Sequence, residues 1–168
     1  MLRTQRRFEF GRSLASGQTE QMIEPVPLPA PGEARLPGTR WIVQARVLDG
    51  ASAPPAGYEQ GHPESRWGYM DLEAVQRFMP LSLRTRRAGD RFRPLGMAND
   101  KKLQDVLVDA KIPRTQRWTL PLVCGADGTL LWVPCYLVSD LVKLTPTTRQ
   151  TLALELRPLT VLRPHDVL

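Results

Sequence analysis

Residues 81–121 read LSLRTRRAGDRFRPLGMANDKKLQDVLVDAKIPRTQRWTLP. The window from Arg84 to Arg117 within this stretch contains ten basic and four acidic side chains, an excess of six. The whole chain has 168 residues and a formal net charge of +6 at pH 7, so the remainder of the sequence sums to zero. A basic excess confined to one segment is the pattern expected of a surface that meets an anionic partner.

Alternating apolar and polar residues predict that this segment opens with a strand over residues 81–86. The inward-facing side chains are expected to be Leu81, Leu83 and Thr85. The outward-facing side chains are expected to be Ser82, Arg84 and Arg86. Turns are predicted at residues 87–90 and 93–96, and they would place Arg91 and Arg93 beside the strand.

A helix is predicted from Lys101 to Lys111, with Asn99 or Asp100 as its N-cap. Its buried stripe is expected to be Leu103, Val106, Leu107 and Ala110, at the i, i+3, i+4, i+7 spacing. The first turn would contain Lys101 and Lys102, where positive charge opposes the helix dipole. Their position there suggests that the start of the helix meets phosphate.

The basic segment therefore predicts a nucleic-acid-binding surface. Its candidate residues are Arg84, Arg86, Arg87, Arg91, Arg93, Lys101, Lys102, Arg114 and Arg117. Two structural alternatives stay open: Arg84 and Arg86 could form a solvated strand face, and Arg91 could pair with Asp90 or Asp109 inside the fold. Phe92 and Trp118 interleave with the cations, and we assign both to the core.

Outward from this segment, the chain divides into four predicted parts. Residues 1–40 are an extended lead-in whose proline-rich part, 25–38, is either a tether or the entry to a sheet. Residues 41–80 contain a strand at Trp41–Leu48, a mobile loop at 49–66, and a short strand and helix capped by Asp71, packed on the next part. Residues 81–157 form the main domain, and 158–168 form a tail.

A short turn of helix is predicted to start at Pro113 and to end before Pro121. The remaining elements are mainly strands, and the fold class is therefore predicted to be α+β. The residues around Gly125–Gly128 predict a hairpin between Leu120–Cys124 and Thr129–Val133, and a last strand is predicted at Thr151–Leu156. The expected architecture is a strand-rich mixed sheet or β-sandwich-like core with short flanking helices. Cys124 and Cys135 are expected to be free thiols, since the hairpin does not bring them together.

Several classes of function find no support in the sequence. No phosphate-binding glycine loop, nucleophile elbow or zinc-protease motif occurs, so no catalytic residue is assigned. His62 and His165 lack metal-site spacing with either cysteine, so no metal ligand is assigned. No apolar run approaches the length of a membrane span, and the first residues lack a signal-peptide core. We expect a cytoplasmic protein without membrane contact.

The order and spacing of the motifs over about residues 81–156 resemble the C-terminal domain of bacterial tRNA(Ile)-lysidine synthetase. The matching residues are Arg84, Arg86, Gly89-Asp90-Arg91-Phe92, Pro94, Gly96-Met97, Lys101-Lys102-Leu103-Gln104-Asp105, Asp109-Ala110-Lys111-Ile112-Pro113-Arg114, Arg117 and Pro121-Leu122-Val123. The lead-in resembles the segment that precedes this domain. The catalytic Ser-Gly-Gly-x-Asp-Ser loop of the family is not matched, since Ser16-Gly17-Gln18 departs from it.

The resemblance implies a tRNA-recognition part rather than a complete ligase. In that family, ATP activates C2 of cytidine 34 of an isoleucine tRNA, and lysine then displaces AMP. ATP and Mg²⁺ would serve the catalytic domain, and no cofactor is expected in this chain. The implied partners are tRNA(Ile), held on its acceptor-stem side, and the catalytic domain in cis or in trans.

Two other functions remain as alternatives. The chain could be an assembly module that docks an acidic protein or a catalytic subunit, or that forms a homodimer. It could also be an enzyme with chemistry that its motifs do not reveal, which is disfavoured because no paired base and nucleophile is visible.

Overall fold

A computed structural model describes residues 24–49, 66–134 and 136–159. The strands in these ranges are β1 (Val26–Leu28), β2 (Gly32–Arg35), β3 (Trp41–Asp49), β4 (Trp67–Asp71), β5 (Leu81–Arg84), β6 (Arg91–Phe92), β7 (Lys101–Lys102), β8 (Leu122–Cys124), β9 (Leu130–Val133), β10 (Leu137–Val138) and β11 (Gln150–Pro158). The helices are α1 (Leu72–Gln76), α2 (Leu103–Asp109) and α3 (Arg114–Arg117), with a 3₁₀ turn at Asp140–Val142.

Most of these strands form two antiparallel sheets. Sheet A has the order β1-β5-β8-β9-β10, and sheet B has the order β2-β3-β11-β4. The long strand β11 pairs with β3 along its whole length and with β4 on its other side. Strands β6 and β7 form a separate two-stranded hairpin.

The two sheets share one hydrophobic core. Leu83 and Val123 of sheet A and Val43 and Leu154 of sheet B are all 0% exposed and belong to the same cluster. Burial of apolar side chains from both inner faces is what holds a β-sandwich together. The predicted fold class, α+β with a strand-rich, sandwich-like core and short flanking helices, is confirmed.

Sheet A also carries a second core on its opposite face. Leu122 and Cys124 of β8 pack there in one buried cluster with Phe92, Leu103 and Leu107, which come from β6 and α2. Sheet A is therefore the middle layer of three, with sheet B on one side and α2 with the β6–β7 hairpin on the other. Strands buried on both faces consist of apolar residues without alternation, as in β8 and β9.

The proline-rich segment enters both sheets, so it is a sheet entry and not a tether. Val26 pairs with Leu83 at the edge of sheet A, and Glu33 pairs with Gln44 at the edge of sheet B. Edge strands accept proline because one side of the strand makes no ladder hydrogen bonds. Residues before and after position 81 thus build the same two sheets.

Local boundaries differ modestly from the predicted ones. Asp71 caps α1 as predicted, with its carboxylate accepting from the backbone of Glu73 at 2.9 Å and of Ala74 at 3.2 Å. The last strand, predicted at Thr151–Leu156, continues through Pro158, which pairs with Trp41, so the first residue of the tail predicted at 158–168 belongs to the sheet.

The helix predicted from Lys101 begins at Leu103 instead. Lys101 and Lys102 form β7, and Lys102, not Asn99 or Asp100, is the N-cap residue, without a side-chain capping bond. Pairing with β6 holds the two lysines extended, and this tertiary contact overrides the local helical pattern.

Some predictions concern residues outside the described ranges. These are residues 50–65 of the predicted loop 49–66, Cys135, His62, His165, the lead-in before residue 24 and the tail from residue 160. Cys124 is a free, buried cysteine, and its strand partner is Leu130. No described helix has the length and hydrophobicity required to span a bilayer.

Candidate nucleic-acid interface

Arg84 of β5 belongs to a buried ion pair and not to the surface. It is 4% exposed, and its Nη2 and Nη1 donate to the two carboxylate oxygens of Asp90 at 2.8 and 2.9 Å. Burial lowers the pKa of Arg84, but the bond to Asp90 and its charge outweigh burial, so the pKa is raised. The predicted outward orientation is wrong, because the second core covers that face of sheet A.

Asp90 also fixes the turn that follows β5. Its carboxylate accepts from the backbone N–H of Arg87 at 2.7 Å, and its carbonyl accepts from the N–H of Leu103 at 2.8 Å. The second bond occupies one amide at the start of α2, which the sequence had suggested for phosphate. Asp90 is already held by Arg84, so the alternative pairing of Arg91 with it does not form.

The β6–β7 hairpin presents three exposed cations, which we call the hairpin cations: Arg91, Lys101 and Lys102. Arg91 lies directly opposite Lys102, while Phe92, 1% exposed, anchors the hairpin in the second core. Like charges directly opposite destabilise a strand pair. A hydrogen bond from Nη2 of Arg91 to the carbonyl of Asp100, at 3.0 Å, partly offsets this repulsion. A bound anion would relieve the repulsion further.

Arg93 is partly neutralised. Its Nε lies 2.8 Å from Oδ1 of Asp100, and the two side chains are 30% and 41% exposed. Its carbonyl accepts from the N–H of Asp140 at 3.0 Å. The carboxylate of Asp140 in turn accepts from the N–H of Gly96 and from Nζ of Lys143, and these bonds lower the pKa of Asp140. Arg93 thus helps to fasten a loop.

Arg86, Arg117 and Trp118 form a second cationic feature, the Arg86–Trp118 cluster. The guanidinium carbon of Arg86 lies 4.3 Å from the centroid of the Trp118 ring, within cation–π range. Nε of Arg117 donates to the carbonyl of Ile112 at 2.8 Å. Burial and the positive charge of Arg117 lower the pKa of Arg86, and Asp90 offsets this in part.

The structure therefore divides the nine predicted residues. Arg84 is structural, Arg93 is half committed to Asp100, and the hairpin cations are exposed on one short element. The guanidinium of Arg86 lies over the ring of Trp118, and the charge of Arg117 acts on Arg86. Arg87 and Arg114 are exposed, in the turn after β5 and at the first position of α3.

Trp118 is the functional candidate that the sequence reading misassigned. It was expected in the core and is 50% exposed, whereas Phe92 is buried as expected. A signal was present, because residues 110–126 contain Lys111, Arg114 and Arg117 and no acidic residue. An aromatic residue in an acid-free basic stretch is a pattern of nucleic-acid surfaces.

A cleft of about 300 Å³ lies beside the hairpin, and its charges are mixed. The charged side chains that line it are Asp90, Arg91, Arg93, Asp100 and Asp127. Three carboxylates beside two arginines do not fit the phosphates of ATP. Within the three described ranges, no group of three or more His, Cys, Asp or Glu side chains could hold a metal ion.

Comparison with known sequences gives consistent matches. The family described as the TilS substrate C-terminal domain matches residues 81–154. The tRNA(Ile)-lysidine synthase of Symbiobacterium thermophilum is 40% identical over 130 residues, which cover 76% of this chain and 25% of that protein. That of Dehalococcoides mccartyi is 34% identical over 135 residues, which cover 77% of this chain and 27% of that protein. The chain thus spans about a quarter of the length of these relatives.

Solved structures agree with the sequence matches. A crystal structure of a TILS C-terminal domain superposes with a TM-score of 0.61 at 30% identity, covering 80% of this chain and 95% of that one. An N-terminal fragment of the phenylalanyl-tRNA synthetase β-subunit from Pyrococcus horikoshii has a TM-score of 0.53 at 13% identity. The match covers 71% of this chain and 40% of that one. The second likeness concerns the fold alone.

Proposed function

This chain belongs to the family of TilS substrate C-terminal domains, and from that membership we propose that it binds tRNA for a tRNA(Ile)-lysidine synthase. The observation that carries the proposal is the set of hairpin cations, Arg91, Lys101 and Lys102. They are exposed, they lie on one hairpin, and Arg91 is the direct strand partner of Lys102.

The partner we propose is tRNA(Ile), gripped on its acceptor-stem side. Double-stranded RNA is recognised mostly through its shape, phosphates and 2′-hydroxyls, because its major groove is too deep and narrow for side chains. Such recognition requires fixed cations at a surface and no catalytic group. The buried Arg84–Asp90 pair supports this arrangement by fastening the turn before the hairpin.

We further propose that the chemistry belongs to a separate catalytic domain, in cis or in trans. That domain would bind ATP and Mg²⁺ and ligate lysine to C2 of cytidine 34, in the cytoplasm. This chain would contribute affinity and position. The charges of the cleft beside the hairpin do not fit a nucleoside triphosphate, which is consistent with placing ATP in the separate catalytic domain.

The test replaces Arg91, Lys101 and Lys102 with alanine and measures tRNA binding against salt concentration. Neutralising phosphates gives a log–log salt slope of about −0.9 per contact on a duplex. We expect the triple variant to bind more weakly, with a slope shallower by about two to three such contacts. The matched control replaces Arg46, Arg77 and Arg149, three exposed arginines outside the basic segment, and should bind normally.

Unchanged affinity and slope in the triple variant would refute the proposed surface. The assembly alternative makes the opposite prediction, a salt-insensitive dimer without RNA affinity. Light scattering at low and high salt distinguishes the two.

A further inference from the structure

The Arg86–Trp118 cluster has unused binding capacity. Nε of Arg86 is buried and has no hydrogen-bond partner, and among the described residues its guanidinium forms no ion pair. The carboxylate of Asp90, whose charge acts on Arg86, is already held by two hydrogen bonds from Arg84. The guanidinium contacts the ring of Trp118 at 4.3 Å and makes no hydrogen bond to a described residue, so an anionic ligand would supply an acceptor that the fold does not.

Two positive charges meet at this position. Burial lowers the pKa of Arg86 most, and the positive charge of Arg117 lowers it further, while the backbone bond of Arg117 to Ile112 restrains the Arg117 side chain. Two neighbouring guanidinium groups that repel each other form a favourable site for a phosphate, which accepts hydrogen bonds from both.

Trp118 adds a surface of a different kind. Its side chain is 50% exposed although Arg86 lies over one face of the ring. Bare aromatic surface beside a cation is how proteins bind unpaired bases, because each base has a π-face that stacks on the ring. A base inside a duplex has both faces covered by its neighbours and cannot use such a platform.

We propose that the Arg86–Trp118 cluster is a binding site for one unpaired RNA nucleotide. The base stacks on Trp118, and its phosphate lies between Arg86 and Arg117. This inference rests on the proposed tRNA function and adds to it, because the hairpin cations suit a duplex backbone while this cluster selects a single-stranded nucleotide. The site binds and positions, and no bond is made or broken there.

The test uses the full chain with three probes: tRNA, a short single-stranded RNA and a blunt-ended RNA duplex. Trp118→Ala and Trp118→Leu should each weaken binding of the single strand by about 5- to 150-fold, the range for losing one stacked base. Binding of the blunt duplex should change by less than about twofold, because its bases are already stacked. Trp118→Phe should keep most of the single-strand affinity, since it retains a ring.

Fluorescence supplies a readout that a purely structural role would not change. Stacking of a base should quench Trp118 emission when the single strand is added to the wild type. That quenching should be lost in Trp118→Phe although the variant still binds. Arg77→Ala, an exposed arginine outside the basic segment, is the control and should leave all three affinities unchanged.

The outcomes separate the two proposals. If the wild type binds no tRNA, the proposed function itself fails. If tRNA binds but the short single strand does not, or Trp118→Leu loses affinity equally for the single strand and the duplex, the inference of an unpaired-nucleotide site is overturned. Full affinity in Trp118→Ala for every probe would overturn it as well.

Discussion

Arg84 and Arg93 each place a nitrogen 2.8 Å from an aspartate oxygen, yet they serve different purposes. The side chains of the Arg84–Asp90 pair are 5% and 11% exposed, and both carboxylate oxygens are used. The Arg93–Asp100 pair uses one oxygen and is open to solvent, which screens its charges. Because it is buried, the Arg84–Asp90 pair is part of the fold. Because it is exposed to solvent, the Arg93–Asp100 pair can exchange partners.

Substitution of these two arginines by methionine should separate their roles. Arg84→Met leaves the buried Asp90 charge uncompensated, which typically costs about 3–5 kcal/mol of unfolding free energy. Arg93→Met removes a solvent-exposed pair and should cost less than about 1 kcal/mol. Urea denaturation of both variants measures the difference, and equal losses would contradict the structural role assigned to Arg84.

The charge count located the basic segment, but it could not distinguish the buried, structural arginine from the exposed ones. The alternation of residues 81–86 correctly assigns Arg84 to the sheet face opposite that of Leu83, but the expectation that this face is exposed is wrong. The alternation does not reveal that α2 covers that face, because such coverage depends on contacts between segments distant in sequence. Trp118 was misassigned for the related reason that aromatic residues are buried more often than not.

The elements with strong local signals were predictable, and the short ones were not. The β8–β9 hairpin, the Asp71 cap and strands β3 and β11 were all found near their observed positions. The β6–β7 hairpin escaped prediction because two residues per strand are too few to establish a period. Lys101 and Lys102, which were predicted to start a helix, are exposed residues of the second strand of this hairpin.

Lys102→Glu should affect stability and binding in opposite directions. The change replaces a like-charge pair across β6–β7 with an opposite-charge pair facing Arg91, worth about 0.2–1 kcal/mol of added stability. The same change removes a cation and adds an anion on the proposed RNA surface, so tRNA affinity should fall. Thermal denaturation and binding assays on one sample measure both, and a parallel loss of both would contradict this interpretation.

Segments before and after residue 81, which were predicted as separate parts, contribute to the same sheets and to the same core. The family match covers residues 81–154, but eight of the eighteen buried members of the core between the sheets lie before residue 81. Strand β1 completes an edge of sheet A, and β2, β3 and β4 form all of sheet B except β11. The folding unit therefore extends well beyond the segment that carries the recognisable motifs.

A fragment of residues 81–159 should fail to fold. It lacks β1 to β4, so the inner faces of sheet A and of β11 would lose the apolar partners that bury them. We expect weak near-ultraviolet circular dichroism and no cooperative thermal transition, with the full chain as the folded control. A sharp transition in the fragment would show that sheet B is dispensable.

The pairing of β11 between β3 and β4 also has a consequence during protein synthesis. Gln150 of β11 pairs with Asp49 of β3, 101 residues earlier, so this sheet depends on contacts that are far apart along the chain. Such contacts form slowly because a long loop must close first. Until β11 has been translated, the central edges of β3 and β4 are unpaired and open to strands of other nascent chains. We therefore expect this fold to be most prone to aggregation in the interval before β11 has been translated.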